Sequence, residues 1–97
     1  MMIKNEKDQA VVINEKASLI VYGLEECHLC LDMIAALQEL QKQRSFSFTF
    51  VDIDDDSDLK KRYGEKIPVL ASSSNNQEIC HYHLDIAVLD AYLDKFR

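Results

Sequence analysis

A chain of 97 residues, 47% hydrophobic and 29% charged, is long enough for one domain with a modest core. Its formal net charge of -6 at pH 7 argues against nucleic acid or an anionic membrane surface as partner, since both call for a basic face. Three cysteines are too few for a secreted disulfide framework, so a reducing cytoplasm is the expected compartment.

Met1 to Gln9 is polar and lacks the apolar stretch of a signal peptide, and no run approaches the ~18 apolar residues of a membrane span. Residues 1–17 read as an N-terminal extension whose apolar patch is Ala10-Val11-Val12-Ile13. Residues 18–97 read as the folded domain. Leu19-Ile20-Val21-Tyr22 is continuously apolar and rich in strand formers, as suits a central strand covered on both faces. Gly23-Leu24-Glu25-Glu26 forms the loop after it.

Over 28–44 the apolar spacing turns helical. Cys30, Met33, Ile34, Leu37 and Leu40 share one face, and no Gly or Pro interrupts the run up to Arg44. Lys42 and Arg44 suit the negative end of such a helix. Cys27-His28-Leu29-Cys30 stands where the strand hands over to this helix. A dithiol at that junction of a βαβ pattern reads as a redox motif. Unpaired backbone N–H groups and the positive end of the dipole favour thiolate there. Cys27 precedes the first turn and should be exposed; Cys30 opens the apolar stripe and should be buried. Attack by one thiol and resolution by the other need that asymmetry. His28, between them, is a candidate modulator of the thiolate.

Phe46 to Ile53 alternates as a strand, and the intervening helix makes it parallel to the first. Asp52, Asp54, Asp55, Asp56 and Asp58 follow. An EF-hand loop beginning at Asp52 would need glycine where Ser57 stands and glutamate where Tyr63 stands, so calcium is not indicated. The acids instead cap and charge a short helix over 57–63, with Leu59 and Tyr63 inward and Gly64 as its stop. Ile67-Pro68-Val69-Leu70-Ala71 is a third strand with the only proline near its start, and Glu78 to Tyr82 a fourth across a polar turn. From about Leu84 a last helix presents Ile86, Leu89, Leu93 and Phe96, with Val88 and Tyr92, as its inward stripe.

These residues together resemble a known family. The Cys-His-Leu-Cys motif, the aspartate-rich segment, Arg62-Tyr63-Gly64 and Ile67-Pro68-Val69-Leu70, in this order, are similar to the small glutaredoxin-like branch of the thioredoxin fold. The resemblance implies an α/β, thioredoxin-like fold. Its four-stranded mixed sheet would run second-first-third-fourth, with helices on both faces. It implies a cis bond between Ile67 and Pro68 beside Cys27, and an Ile67 backbone free to pair with an extended substrate. It implies thiol–disulfide oxidoreductase activity with Cys27 as nucleophile and Cys30 as resolving thiol, and substrate contacts from Ile67, Pro68 and Asp85. No tightly bound cofactor is implied; glutathione is the candidate electron donor, and the partners are disulfide-containing proteins or small thiols. A monomer is expected. Two positions depart from the family: His28-Leu29 stands where glutaredoxins carry Pro-Tyr, and no Gly-Gly precedes Asp85.

Two other readings stand beside this one. Cys27, Cys30, Cys80, His81 and His83 offer enough sulfur and nitrogen for zinc, although neighbours on a strand point to opposite faces. By analogy, Cys27 with glutathione could bridge an iron–sulfur cluster. The third reading is a binding module that keeps the fold without turnover.

Overall fold

A computed structural model describes residues 17–96. The chain runs β1 (Ala17–Gly23), α1 (His28–Leu40), β2 (Phe46–Asp52), a 3-10 turn (Ile53–Asp55), α2 (Ser57–Tyr63), β3 (Val69–Ser72), β4 (Glu78–His81) and α3 (Ile86–Leu93). The strands form one sheet in the order β2-β1-β3-β4. β1 is parallel to β2 and antiparallel to β3, and β3 is antiparallel to β4.

Alternation along β1 gives each face its own core. Ala17, Leu19 and Val21 point to one side, where Met33 and Leu37 of α1, Phe46 of β2 and Leu89 and Leu93 of α3 are buried with them. Tyr22 points to the other, with Ile53, Tyr63 of α2, Val69 and Ala71. Thus α1 and α3 cover one face and α2 the other, as the resemblance implies. Each fully buried leucine here contributes about 1.5–3 kcal/mol of transfer free energy. The Tyr22 and Tyr63 rings stack at 4.4 Å, joining α2 to the central strand. Among the described residues the buried polar side chain is Ser72; its hydroxyl accepts from the Tyr92 phenol at 2.8 Å and from the Ser74 N–H at 3.2 Å.

Several boundaries differ from the sequence reading. α1 ends at Leu40 rather than Arg44. Beyond it, the Gln41 side-chain amide donates to the Phe46 carbonyl at 2.9 Å, and Arg44 reaches Asp90 and Asp94 at 2.5 and 3.2 Å. Arg44 therefore ties the α1–β2 connection to α3 instead of serving a helix end. β3 begins at Val69, after the proline, and β4 ends at His81, so Tyr82 lies outside the strand. α2 spans the predicted residues, with the Asp56 carboxylate accepting the N–H groups of Asp58 and Leu59. Ile86 and Val88 are corrected: they are 52% and 44% exposed, and the inward stripe of α3 is Leu89 and Leu93 with half-buried Tyr92. The apolar patch at Ala10-Val11-Val12-Ile13 and the Phe96 side chain lie outside what is described.

Candidate active site

Register places the site. Tyr22 pairs with Val69, so Gly23 and Pro68, the next residues outward, face each other at one end of the sheet. Gly23 also pairs with Asp52, and Val69 with His81, which sets Tyr82 beside Pro68. The loops carrying Cys27, the aspartates, Pro68 and Tyr82 therefore emerge from one edge, at the carboxyl ends of the parallel strands, where open α/β sheets carry their ligand sites.

The loop after β1 turns once, with the Cys27 N–H donating to the Leu24 carbonyl at 3.2 Å. Cys27 has extended backbone and is the N-cap of α1; its sulfur accepts the Cys30 N–H at 3.3 Å. A sulfur in this position satisfies one of the helix's free donors and sits at the positive end of its dipole. Cys27 is partly rather than fully exposed, and Cys30 is fully buried. Burial, hydrogen bonding to the Cys27 sulfur and the charge of that sulfur push the Cys30 thiol up to about 12, against a Leu24 backbone hydrogen bond that pulls it down. His28 is the exposed first residue of α1.

The sequence reads Gly23 as a loop residue, whereas in the structure it is the last residue of β1. A Cβ there would lie 2.5 Å from the Cys30 sulfur and 3.3 Å from the Phe50 ring. Its missing side chain is what lets the buried thiol approach the end of β1. In the sequence it is a loop glycine four residues before Cys27; the contact itself is tertiary.

The Ile67–Pro68 peptide bond is cis, as the resemblance implies. The Pro68 carbonyl accepts the Tyr82 N–H at 2.9 Å, whereas the Ile67 backbone has no hydrogen-bond partner among the described residues. Asp85 caps α3, its carboxylate accepting the Val88 N–H at 3.2 Å. An open depression of about 380 Å³ lined by Leu24, Glu25, Glu26, Asp52 and Asp54 flanks the cysteine loop.

The alternative zinc ligands are not brought together. Cys80 lies opposite Leu70 in β4 and joins the core under α1 and α3, where burial pushes its thiol up. His81, its neighbour, bonds to Glu78 at 2.6 Å, which holds the Glu78 carboxyl below its usual range. Among the described residues no group of three or more His, Cys, Asp or Glu is placed to hold a metal ion.

Comparison with known proteins agrees with this architecture. Residues 18–94 match the family model of the glutaredoxin-like domain (DUF836). The chain belongs to the glutaredoxin-like domain family. The solution structure of the glutaredoxin-like chain's relative Ne2328 from Nitrosomonas europaea is 43% identical over 79% of this chain and 91% of that one, with a TM-score of 0.74. The crystal structure of XcR50 from X. campestris is 32% identical over 79% of this chain and 96% of that one, at a TM-score of 0.56. Thioredoxin 1 from Thermosipho africanus, 14% identical over 80% of this chain and 96% of its own, shares the fold at a TM-score of 0.55. A search of curated proteins gave no match. Among the described residues of this glutaredoxin-like protein no helix is long and apolar enough to cross a membrane.

Proposed function

We propose that this glutaredoxin-like protein is a thiol–disulfide oxidoreductase. The observation that carries the reading is the Cys27 sulfur capping α1 while accepting the Cys30 N–H, with Cys30 buried behind it. Cys27 thiolate attacks one sulfur of a substrate disulfide; a mixed disulfide forms and the other substrate sulfur leaves as thiolate. Cys30 then loses its proton and attacks the Cys27 sulfur, releasing the second substrate thiol. The substrate gains two electrons and the protein holds a Cys27–Cys30 disulfide, which an external thiol reduces.

The buried thiol is matched to this order of events. Two of the influences that raise Cys30 come from the Cys27 sulfur, by hydrogen bond and by charge. Both weaken once Cys27 is uncharged in a mixed disulfide. Cys30 therefore becomes easier to ionise at the step where it must attack. Ile67, whose backbone has no hydrogen-bond partner among the described residues, is the natural partner for an extended segment next to the substrate disulfide. Glutathione remains one candidate reductant, and Asp85 at the start of α3 one candidate contact for it. Carboxylates at Glu25, Glu26, Asp52 and Asp54 favour partners that are not themselves acidic around the disulfide. The proposed setting is a monomer in the cytoplasm.

A redox titration tests the reading. The purified protein is equilibrated in glutathione and dithiothreitol buffers, thiols are trapped, and modifications at Cys27, Cys30 and Cys80 are mapped by mass. The expected result is a reversible Cys27–Cys30 disulfide, with Cys27 alkylated fastest near neutral pH. If no such disulfide forms in any buffer, the proposal is wrong.

A further inference from the structure

Two non-glycine residues among those described have a positive φ, Asn76 and Tyr82. Tyr82 has a φ of 65°, a left-handed value that a bulky side chain rarely adopts. The N–H of His83 donates to the carbonyl of His81 at 2.7 Å, so Tyr82 is the centre of a tight three-residue turn. No glycine or asparagine relieves it. Such a conformation persists only where the surroundings hold it.

What holds it is the segment before β3. The Tyr82 N–H donates to the carbonyl of Pro68 at 2.9 Å, and its phenol donates to the carbonyl of Glu65 at 2.8 Å. One residue therefore engages both ends of residues 65–68; between them the Lys66 N–H donates to the Tyr63 carbonyl, while neither the N–H nor the C=O of Ile67 has a partner among the described residues. The clamp is braced from β4: the His81 ring meets the Tyr82 ring edge-on at 4.7 Å, His81 bonds to Glu78, and Glu78 pairs with Lys66 at 3.6 Å. Lys66 belongs to the same short segment, so the brace closes on itself.

We propose that Tyr82 is a positioning residue: its two hydrogen bonds fix residues 65–68 so that the Ile67 N–H and C=O are presented to an extended peptide beside Cys27. The proposal rests on the oxidoreductase reading above and deepens it by naming the residue that fixes the Ile67 backbone. The hydrogen bonds of Tyr82 go to Pro68 and Glu65, so it acts through Ile67. Its loss weakens substrate binding and leaves the chemical step at Cys27 alone.

The test uses the full chain and two disulfides: a short synthetic peptide with its disulfide in an extended segment, and an aromatic disulfide reagent without peptide backbone. Wild-type protein is assayed first; reduction of neither sinks the oxidoreductase reading, and this proposal with it. Tyr82→Phe removes the bond to Glu65 and keeps the ring and the N–H. It should raise KM for the peptide about three- to tenfold, the effect of one lost hydrogen bond, with kcat within twofold and the Cys27–Cys30 reduction potential retained. Tyr82→Gly keeps the N–H to Pro68, relaxes the φ and also lacks the phenol, so it should show the same rise in KM and guards against a folding defect in the first variant. An unchanged peptide KM in both variants overturns the proposal. So does a fall in kcat for both disulfides together with a shifted potential, which would mark a general disturbance of the thiol site.

Discussion

Gly23→Ala puts the packing of the buried thiol to the test. The φ of Gly23 is not in the left-handed region, so the backbone itself accepts alanine. Reduced freedom of the unfolded chain would then favour the variant by about 0.4–1 kcal/mol. Against this stands the new Cβ, 2.5 Å from the Cys30 sulfur. Ordinary contact lies near 3.5–4.0 Å, so the sulfur or the strand end must move by roughly 1 Å. The Cys30 Cβ and the Phe50 ring, each 3.3 Å from the same point, leave little room to turn aside. Overpacking of this kind costs about 1–3 kcal/mol and outweighs the gain. For a domain of this size the net loss lowers Tm by roughly 5–15 °C. Thermal unfolding by circular dichroism measures it, alongside Cys30→Ala and the double variant. Removing the sulfur should restore most of the loss, giving a coupling of about 1 kcal/mol or more between the two positions. A Tm unchanged in Gly23→Ala, or a double variant no better than the sum of the singles, would refute the contact.

Three further outcomes are expected. The Cys30 thiol ionises at about 12 in the fold against an ordinary 9.0, so its contribution to stability is complete below about pH 9 and is lost as pH rises toward 12; urea unfolding across that window should show a shallower alkaline decline in Cys30→Ala than in wild type. Cys30→Ser should accumulate the mixed disulfide on Cys27 after a single turnover, seen as the mass of protein plus substrate, because the second attack is gone. Arg44→Ala should cost about 1–2 kcal/mol by urea denaturation, since a half-buried guanidinium bridges Asp90 and Asp94 of the last helical segment, while Lys42→Ala, whose partner Glu39 is exposed, should cost only a few tenths.

What could be read from the chain alone was whatever is decided locally. Cys27 at a helix start and Asp56 before α2 are capping positions, and capping depends on neighbours two or three residues away. The order of the strands came through family resemblance rather than from spacing. The misread features have tertiary causes. Nothing in Gln41-Lys42-Gln43-Arg44 ends a helix by itself; the chain leaves α1 to meet the Phe46 carbonyl, Asp90 of α3 and Asp94 just beyond it. In Ile86–Leu93 apolar residues occupy more than one face, and eight residues give too few turns for periodicity to tell Leu89 from Val88. Tyr82 carries a left-handed φ without the glycine or asparagine that announces one, because contacts from residues 65–68 impose it. Of the site, the two cysteines and the proline were legible; Gly23 and Tyr82 matter through residues distant in sequence, Phe50 and Cys30 for one and Glu65 and Pro68 for the other.

The position of β2 has a consequence for how this protein survives its own unfolding. β2 lies at the edge of the sheet, and among the described residues no strand covers its outer side. Phe46-Ser47-Phe48-Thr49-Phe50-Val51 is aromatic, uncharged and free of proline, the composition that stacks into intermolecular β-structure when released. Its flanks are of opposite sign: Lys42 and Arg44 precede it, and Asp52, Asp54, Asp55, Asp56 and Asp58 follow. Charges so placed act as gatekeepers, repelling the like-charged flanks of neighbouring chains in a parallel stack. The aspartates that include the caps of the 3-10 turn and of α2, Asp52 and Asp56, thus guard an aggregation-prone segment in the unfolded chain, and acid that neutralises them weakens the guard while the fold is also losing its caps.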